Sequence, residues 1–197
     1  MSHLDLVRTM TRAVRRADIP LWYTEGFNRH PYITFAAPLS LGFESVYETM
    51  DLRLEEDMPF DELTARLNAV FPEGLHASSA DEVKMKAGAL FSARYRVTLP
   101  VTEAELTAFL QQPTILMQKR TKKGGMKDVD IRPHLQDTVC ESAENGSVLT
   151  VTLPCNSTDN INPQMIHQAL GVFLERELPP VRVLRLALYS EDGQLFI

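Results

Sequence analysis

Apolar residues recur at helical spacing from the first turn of the chain. Leu4, Val7, Met10 and Val14 form a stripe that Leu6, Ala13 and Ala17 widen. Ser2 stands at the N-cap position, with Asp5 three residues on as a carboxylate variant of the capping box. Asp18 and Pro20 end the predicted helix. Residues 21–31 mix aromatics, glycine and turn formers and predict a structured loop. β-branched and aromatic content makes 32–37 a strand, and 38–45 a turn-forming connection. From Thr49 onward polar and apolar positions alternate, which predicts a half-buried strand over 46–54. Asp57 and Pro59 take the cap and first-turn positions of a second helix carrying Phe60, Leu63, Leu67 and Val70. Pro72 and Gly74 stop it, and a short strand is expected over 75–83.

The second half repeats this order with one extra piece. Residues 93–101 alternate as a strand, and Thr102 with Glu105 makes a capping box for a helix carrying Leu106, Phe109 and Leu110. Residues 114–120 and 126–133 flank a turn-like Thr-Lys-Lys-Gly-Gly, 147–154 is another strand, Asn162 and Pro163 open a helix, and 181–189 closes as a strand. The pattern predicts an α+β chain of two tandem ferredoxin-like (β-α-β-β-α-β) modules, the first lacking its N-terminal strand. The expected modules are 1–86 and 92–197, the second with an extra β-hairpin at about 114–133. The missing strand belongs in the middle of its sheet, where a gap leaves backbone groups unpaired. An irregularity is expected there, filled either by the C-terminal Gln194–Ile197 or by a strand from a second copy.

Composition narrows the class. The chain has 197 residues, 44% hydrophobic and 23% charged, with formal net charge −6. No apolar run approaches the roughly 18–20 residues of a membrane span, and the N-terminus has no apolar signal core, so a cytoplasmic protein with no membrane partner is expected. Two cysteines, Cys140 and Cys155, make no disulfide framework and fit no zinc or redox spacing. They are too few to hold an iron–sulfur cluster, and no cofactor is expected.

Four motifs occur in order: Ser-His-Leu-Asp-Leu-Val-Arg (2–8), Gly-Phe-Asn-Arg-His-Pro (26–31), Pro-Leu-Ser-Leu-Gly-Phe-Glu-Ser (38–45) and Asp-Ile-Arg-Pro (130–133). Together they resemble the radical SAM-linked protein family, an uncharacterised bacterial domain found alone or fused behind cobalamin-binding radical SAM proteins. The resemblance implies an accessory partner of a radical SAM enzyme. The family's usual neighbours, a ribonuclease of the E/G type and ribosomal-protein genes, point to RNA modification or ribosome-related chemistry. Members commonly carry one more strand before the first motif, and this chain starts at that motif.

Three segments carry candidate chemistry. Arg8, Arg12, Arg15 and Arg16 fall on one side of the first helix, and Arg29 and His30 follow in the loop. Guanidinium groups match phosphate with paired donors, so the cluster reads as an anion site; the alternative is a solvated helix face. Residues 1–31 hold five arginines against three acids, which favours the anion site. A second cluster, Lys119, Arg120, Lys122, Lys123 and Lys127, surrounds Gly124–Gly125 and reads as an RNA-backbone contact or as an ordinary exposed hairpin. In the loop, Tyr23 and Phe27 offer stacking faces, while Asn28 and His30 offer hydrogen-bonding groups for a base or small polar substrate. The alternative there is a loop held to the core by its aromatics. Arg132 either pairs with a nearby carboxylate or reaches the anion site.

The five histidines are scattered, no nucleophile stands beside a base, and no phosphate-loop or dinucleotide motif occurs. Catalytic and metal-binding residues are therefore not assigned, and the chain reads as more accessory than enzyme. The leading expectation is a non-catalytic partner that presents RNA, or a ribosome-related substrate, to a radical SAM (cobalamin-binding) protein. The alternatives are a metal-independent RNA-processing endonuclease using His30 or His3, on fold analogy, and a structural protein-interaction subunit. The expectation rests on both cationic clusters lining one concave wall.

Overall fold

The computed structural model describes residues 1–120, 124–156 and 158–197. The chain is mixed α+β and divides into two compact units, one of residues 1–41, 49–87 and 197, the other of 42–48 and 88–196. Among the described residues no helix is long and apolar enough to cross a membrane.

The first unit opens with α1 (His3–Arg16), whose N-terminus forms as its sequence requires: the Asp5 amide donates to the Ser2 hydroxyl. Asp18 leaves the helix with φ +52°. α2 (Phe60–Val70) starts at Pro59 with no side-chain cap, so Asp57 does not take the capping role its position suggests. The two helices meet on a core of Val14, Ala17, Ile19, Leu21, Leu63 and Leu67, with Ile33, Met50 and Leu52 packed against it. Those last residues come from β1 (Ile33–Phe35) and β3 (Met50–Leu52), an antiparallel pair three residues long.

The described residues of this unit do not form the α-β-β-α-β module, a ferredoxin-like unit without its first strand, expected of the first half; only β1 and β3 pair. The strand anticipated over 46–54 is cut short because 42–48 leaves the unit, and 75–83 is not a strand. There the Asn68 side chain holds the backbone of Ala77, accepting from its N–H at 2.8 Å and donating to its carbonyl at 2.9 Å. A side chain thus takes the place of a neighbouring strand.

The second unit is built on a five-stranded sheet. Its strands are β2 (Glu44–Ser45), β4 (Leu90–Leu99), β7 (Val139–Ala143), β8 (Gly146–Pro154) and β9 (Arg182–Ser190), in the order β2-β9-β4-β8-β7. α3 (Glu103–Leu110) follows β4, and α4 (Gln164–Phe173) follows β8. Apart from the parallel edge strand β2, all neighbours are antiparallel, so each helix crossover spans an intervening strand as in a split β-α-β. The capping box of α3 is complete: the Glu105 amide donates to the Thr102 hydroxyl, and the Thr102 amide donates back to the Glu105 carboxylate.

β4 alternates strictly. Ala93, Tyr95, Val97 and Leu99 are buried, and their register partners Leu153, Val151, Leu149 and Ser147 on β8 are buried with them. Leu106 and Phe109 of α3 and Ile166 and Leu170 of α4 are the buried helix residues that cover this face. Arg94, Arg96 and Thr98 occupy the opposite, exposed face.

One strand departs from expectation. β7, over a segment where the sequence pattern predicts no strand, takes the edge position beside β8. β5 (Leu116–Arg120) and β6 (Met126–Asp130) pair only with each other as a separate hairpin. β7 carries Val-Cys-Glu-Ser-Ala, with too few apolar residues to stand out, yet it turns into β8 through Glu144–Asn145 and Gly146. Gly146 has φ +138°, and a Cβ there would stand 2.1 Å from the Leu99 carbonyl oxygen, so only glycine fits. Residues 194–196 of the C-terminal segment fold back on β9: the Phe196 amide donates to the Leu188 carbonyl at 2.9 Å, and the reversal turns at Gly193, φ +77°.

Candidate anion-binding site

The arginines of α1 have separate fates. Arg8 pairs loosely with Asp5 at 3.5 Å, both side chains being mostly exposed. The Ser2 hydroxyl and the Arg8 cation hold the Asp5 carboxyl below its ordinary value. Arg16 turns to α2 and donates to the Val70 carbonyl at 3.0 Å, satisfying one of the acceptors that a helix C-terminus leaves open. Arg15 donates from Nε to the Tyr23 hydroxyl at 3.3 Å, with its guanidinium 5.8 Å from that ring's centroid. Arg12, one turn before Arg15, is exposed and has no hydrogen bond or ion pair among the described residues.

Arg15 thereby joins the helix to the base of the loop, which is a hairpin. The Trp22 amide donates to the Arg53 carbonyl at 2.8 Å, the Tyr32 amide to the Trp22 carbonyl at 3.0 Å, and Tyr23 bridges Pro31. Thr24 and His30 close the next rung. The Thr24 amide donates to the His30 carbonyl at 2.9 Å, and the His30 amide to the Thr24 hydroxyl at 3.2 Å. His30 Nδ1 lies 3.0 Å from the Asn28 carbonyl and 3.1 Å from the Thr24 hydroxyl, so the loop backbone and Thr24 fix the ring's orientation.

Beyond this rung Glu25, Gly26, Phe27, Asn28 and Arg29 form a fully exposed tip, turned at Gly26 with φ +118°. Phe27 is 109% exposed, so the tip places an aromatic face in solvent instead of anchoring it in the core. Arg29 has no partner among the described residues. Tyr23, by contrast, is half-buried against the core, as the bland alternative for the loop requires. The sequence pattern does not single out Trp22 and Arg53. The Arg53 guanidinium stacks 4.2 Å from the Trp22 ring centroid, and Tyr32 meets that indole edge-on at 6.1 Å. The signal was there: Arg53 lies on the polar phase of the alternation after Thr49. His3 meets Phe35 edge-on at 5.8 Å.

The second unit holds the remaining candidates. Lys119 donates to the Asn160 carbonyl and faces Lys127 across the β5–β6 ladder. Arg120 ends β5 opposite Met126, and Lys122 and Lys123 lie outside the described residues. Arg132 is structural in its contacts. Its Nε donates to the Gln112 carbonyl at 3.1 Å, its amide donates to the Asp130 carboxylate at 3.0 Å, and its Nη1 is buried with no hydrogen-bond partner among the described residues.

A further cluster surrounds Arg185, which is 3% exposed. Its Nη1 donates to both carboxylate oxygens of Glu48, at 3.0 and 3.1 Å, and the guanidinium lies 5.8 Å from the Tyr95 ring centroid. Burial pushes the Glu48 carboxyl and the Tyr95 phenol up, with Arg185 pulling both the other way. Burial pushes the Cys155 thiol up to about 11, again opposed by Arg185. Glu44 pairs with Arg182, Nη2 to Oε2 at 2.6 Å, so the motif segment 38–45 contributes an edge strand tied to β9 by this ion pair and by the parallel ladder. Among the described residues no group of three or more His, Cys, Asp or Glu is placed to hold a metal ion.

No curated protein matches the chain. A family model matches residues 1–163, the whole first unit up to Ala87 and the second as far as Pro163. The protein therefore belongs to the family described as "Uncharacterized protein conserved in bacteria (DUF2344)".

Proposed function

We propose that this protein is a non-catalytic accessory subunit that binds RNA and presents it to a radical SAM, cobalamin-binding enzyme. The observation that carries the reading is the exposed pair Arg12 and Arg29, free of partners among the described residues, together with the solvent-facing ring of Phe27. Unpaired guanidinium groups suit phosphate, and an exposed ring suits a base. The radical SAM partner rests on the four motifs and their resemblance to the radical SAM-linked family. Fluorescence anisotropy with a short oligouridine at low salt tests the reading. Binding by the wild type, weakened at least tenfold in Arg12→Glu/Arg29→Glu, is expected, along with co-purification of the enzyme. No binding by the wild type would remove the RNA half of the proposal, and no association at micromolar concentration would remove the partner.

One observation favours a second reading, RNA cleavage. The exposed His30 is held at Nδ1 by the Asn28 carbonyl and the Thr24 hydroxyl, and its Nε2 has no partner among the described residues, the arrangement a general base needs. Incubation of labelled RNA with pure protein decides it: cleavage abolished by His30→Ala supports an endonuclease, and intact RNA eliminates it.

A further inference from the structure

The sheet of the second unit has one face covered by its two helices and one face open. Register places Arg94, Arg96 and Thr98 of β4 on the open face, opposite Thr152, Thr150 and Val148 of β8, with the half-buried Ser92 opposite the buried Pro154 at its margin. On the other side β9 adds Tyr189 opposite Ser92 and Leu184 opposite Arg96. Arg94 and Arg96 are exposed and have no hydrogen bond or ion pair among the described residues. The nearby Arg182 is neutralised by Glu44, and Glu141 lies one strand further out, opposite Val148. The central strand therefore carries two uncompensated cations in a chain of net charge −6.

From this geometry we infer that the open face of β9-β4-β8 is a second surface for single-stranded RNA, resting on the reading above that the chain binds RNA. Same-face neighbours on a strand stand about 6.7 Å apart, twice the rise per residue. That separation is of the order of the step between successive phosphates in an extended strand. Thr150 and Thr152 flank the two arginines and add hydroxyl donors to the same oxygens. The half-buried ring of Tyr189, in line with Ser92 at one end of the arginine row, is the stacking platform. A duplex fits this surface poorly, since stacking requires unpaired bases. An acidic peptide would use the arginines but not the ring.

Anisotropy with oligouridine tests the inference on the full chain, using Arg94→Glu/Arg96→Glu and, should that variant not fold, Arg94→Gln/Arg96→Gln. Circular dichroism checks that each variant keeps its sheet. The expected result is a loss of at least tenfold in affinity at low salt, with wild-type amide resonances of Arg94, Arg96, Thr150 and Thr152 shifting on titration. Oligouridine should bind at least tenfold more tightly than a duplex RNA of equal length. If Arg12→Glu/Arg29→Glu weakens binding but the β4 variants stay within twofold of wild type, this inference fails and the first reading stands. If wild type binds no RNA, both fail. Equal competition by oligoglutamate would replace RNA with an acidic peptide on this face and overturn the inference.

Discussion

Removing the Glu48 side chain is the sharpest perturbation of the second unit. Arg185 is 3% exposed and donates to both carboxylate oxygens of Glu48, whose side chain keeps 36% of its surface open. Stranding one member of a fully buried pair costs about 3–5 kcal/mol, whereas exposed pairs contribute about 0–1 kcal/mol. The opening at Glu48 would let water reach the guanidinium, which also keeps its contact with Tyr95, so Glu48→Ala is expected to cost about 2–3 kcal/mol. Glu48→Gln keeps a carbonyl that accepts from Nη1 and should cost about 1 kcal/mol or less. The double variant Glu48→Ala/Arg185→Met removes the buried charge with its partner and should return to within about 1 kcal/mol of wild type. Urea unfolding followed by circular dichroism reads these values, with a drop of about 5–10 °C in thermal midpoint for the alanine variant. The sign with pH follows from burial. The Glu48 carboxyl titrates higher folded than unfolded, so its contribution is fully present below the ordinary carboxylate value and is lost as pH rises through the folded value. Wild type should therefore lose stability relative to Glu48→Gln as pH rises through that window. Single variants that add within about 0.5 kcal/mol would refute the coupling.

Gly146→Ala should cost about 3 kcal/mol or prevent folding, because its Cβ would lie 2.1 Å from a backbone oxygen at a φ of +138°; unfolding within about 1 kcal/mol of wild type would contradict the tight β7–β8 turn. Cys155, pushed up to about 11 by burial, should react with iodoacetamide at pH 8 about a hundredfold more slowly than free cysteine. Mass spectrometry of the labelled peptides measures it, and a rate near that of free cysteine would show an accessible thiol. Thr102→Ala removes half of the α3 capping box and should cost about 1 kcal/mol by urea unfolding, a loss that Thr102→Ser should largely restore.

The helices were legible because their determinants are local. Ser2, Thr102 and the apolar spacing of α1 and α4 act within a few residues, and these elements form where they are expected. Long-range pairings were not legible. The segment 42–48 leaves its sequence neighbours to pair with β9, more than 130 residues away, where Glu44 and Glu48 meet Arg182 and Arg185. No pattern inside the segment announces that partner. β7 was hidden by its polar composition, although the Asn145–Gly146 pair is a hairpin signal that marks where it must end. In the candidate site, charge was legible and its availability was not. Arg12 and Arg16 look alike on a helical face, yet Arg16 is committed to the Val70 carbonyl while Arg12 faces solvent. Phe27 reads from sequence either as a stacking face or as a core anchor, and it is the most exposed large apolar side chain among the described residues.

The salt dependence of oligouridine binding is the most direct test of an RNA-gripping surface on the first unit. Each neutralised phosphate of a single strand steepens the slope of log K against log salt by about 0.7. Wild type should bind with a steep negative slope, and Arg12→Glu/Arg29→Glu should flatten it by about 1.4 while losing at least tenfold in affinity. An unchanged slope and affinity in that variant would show that these arginines do not hold RNA.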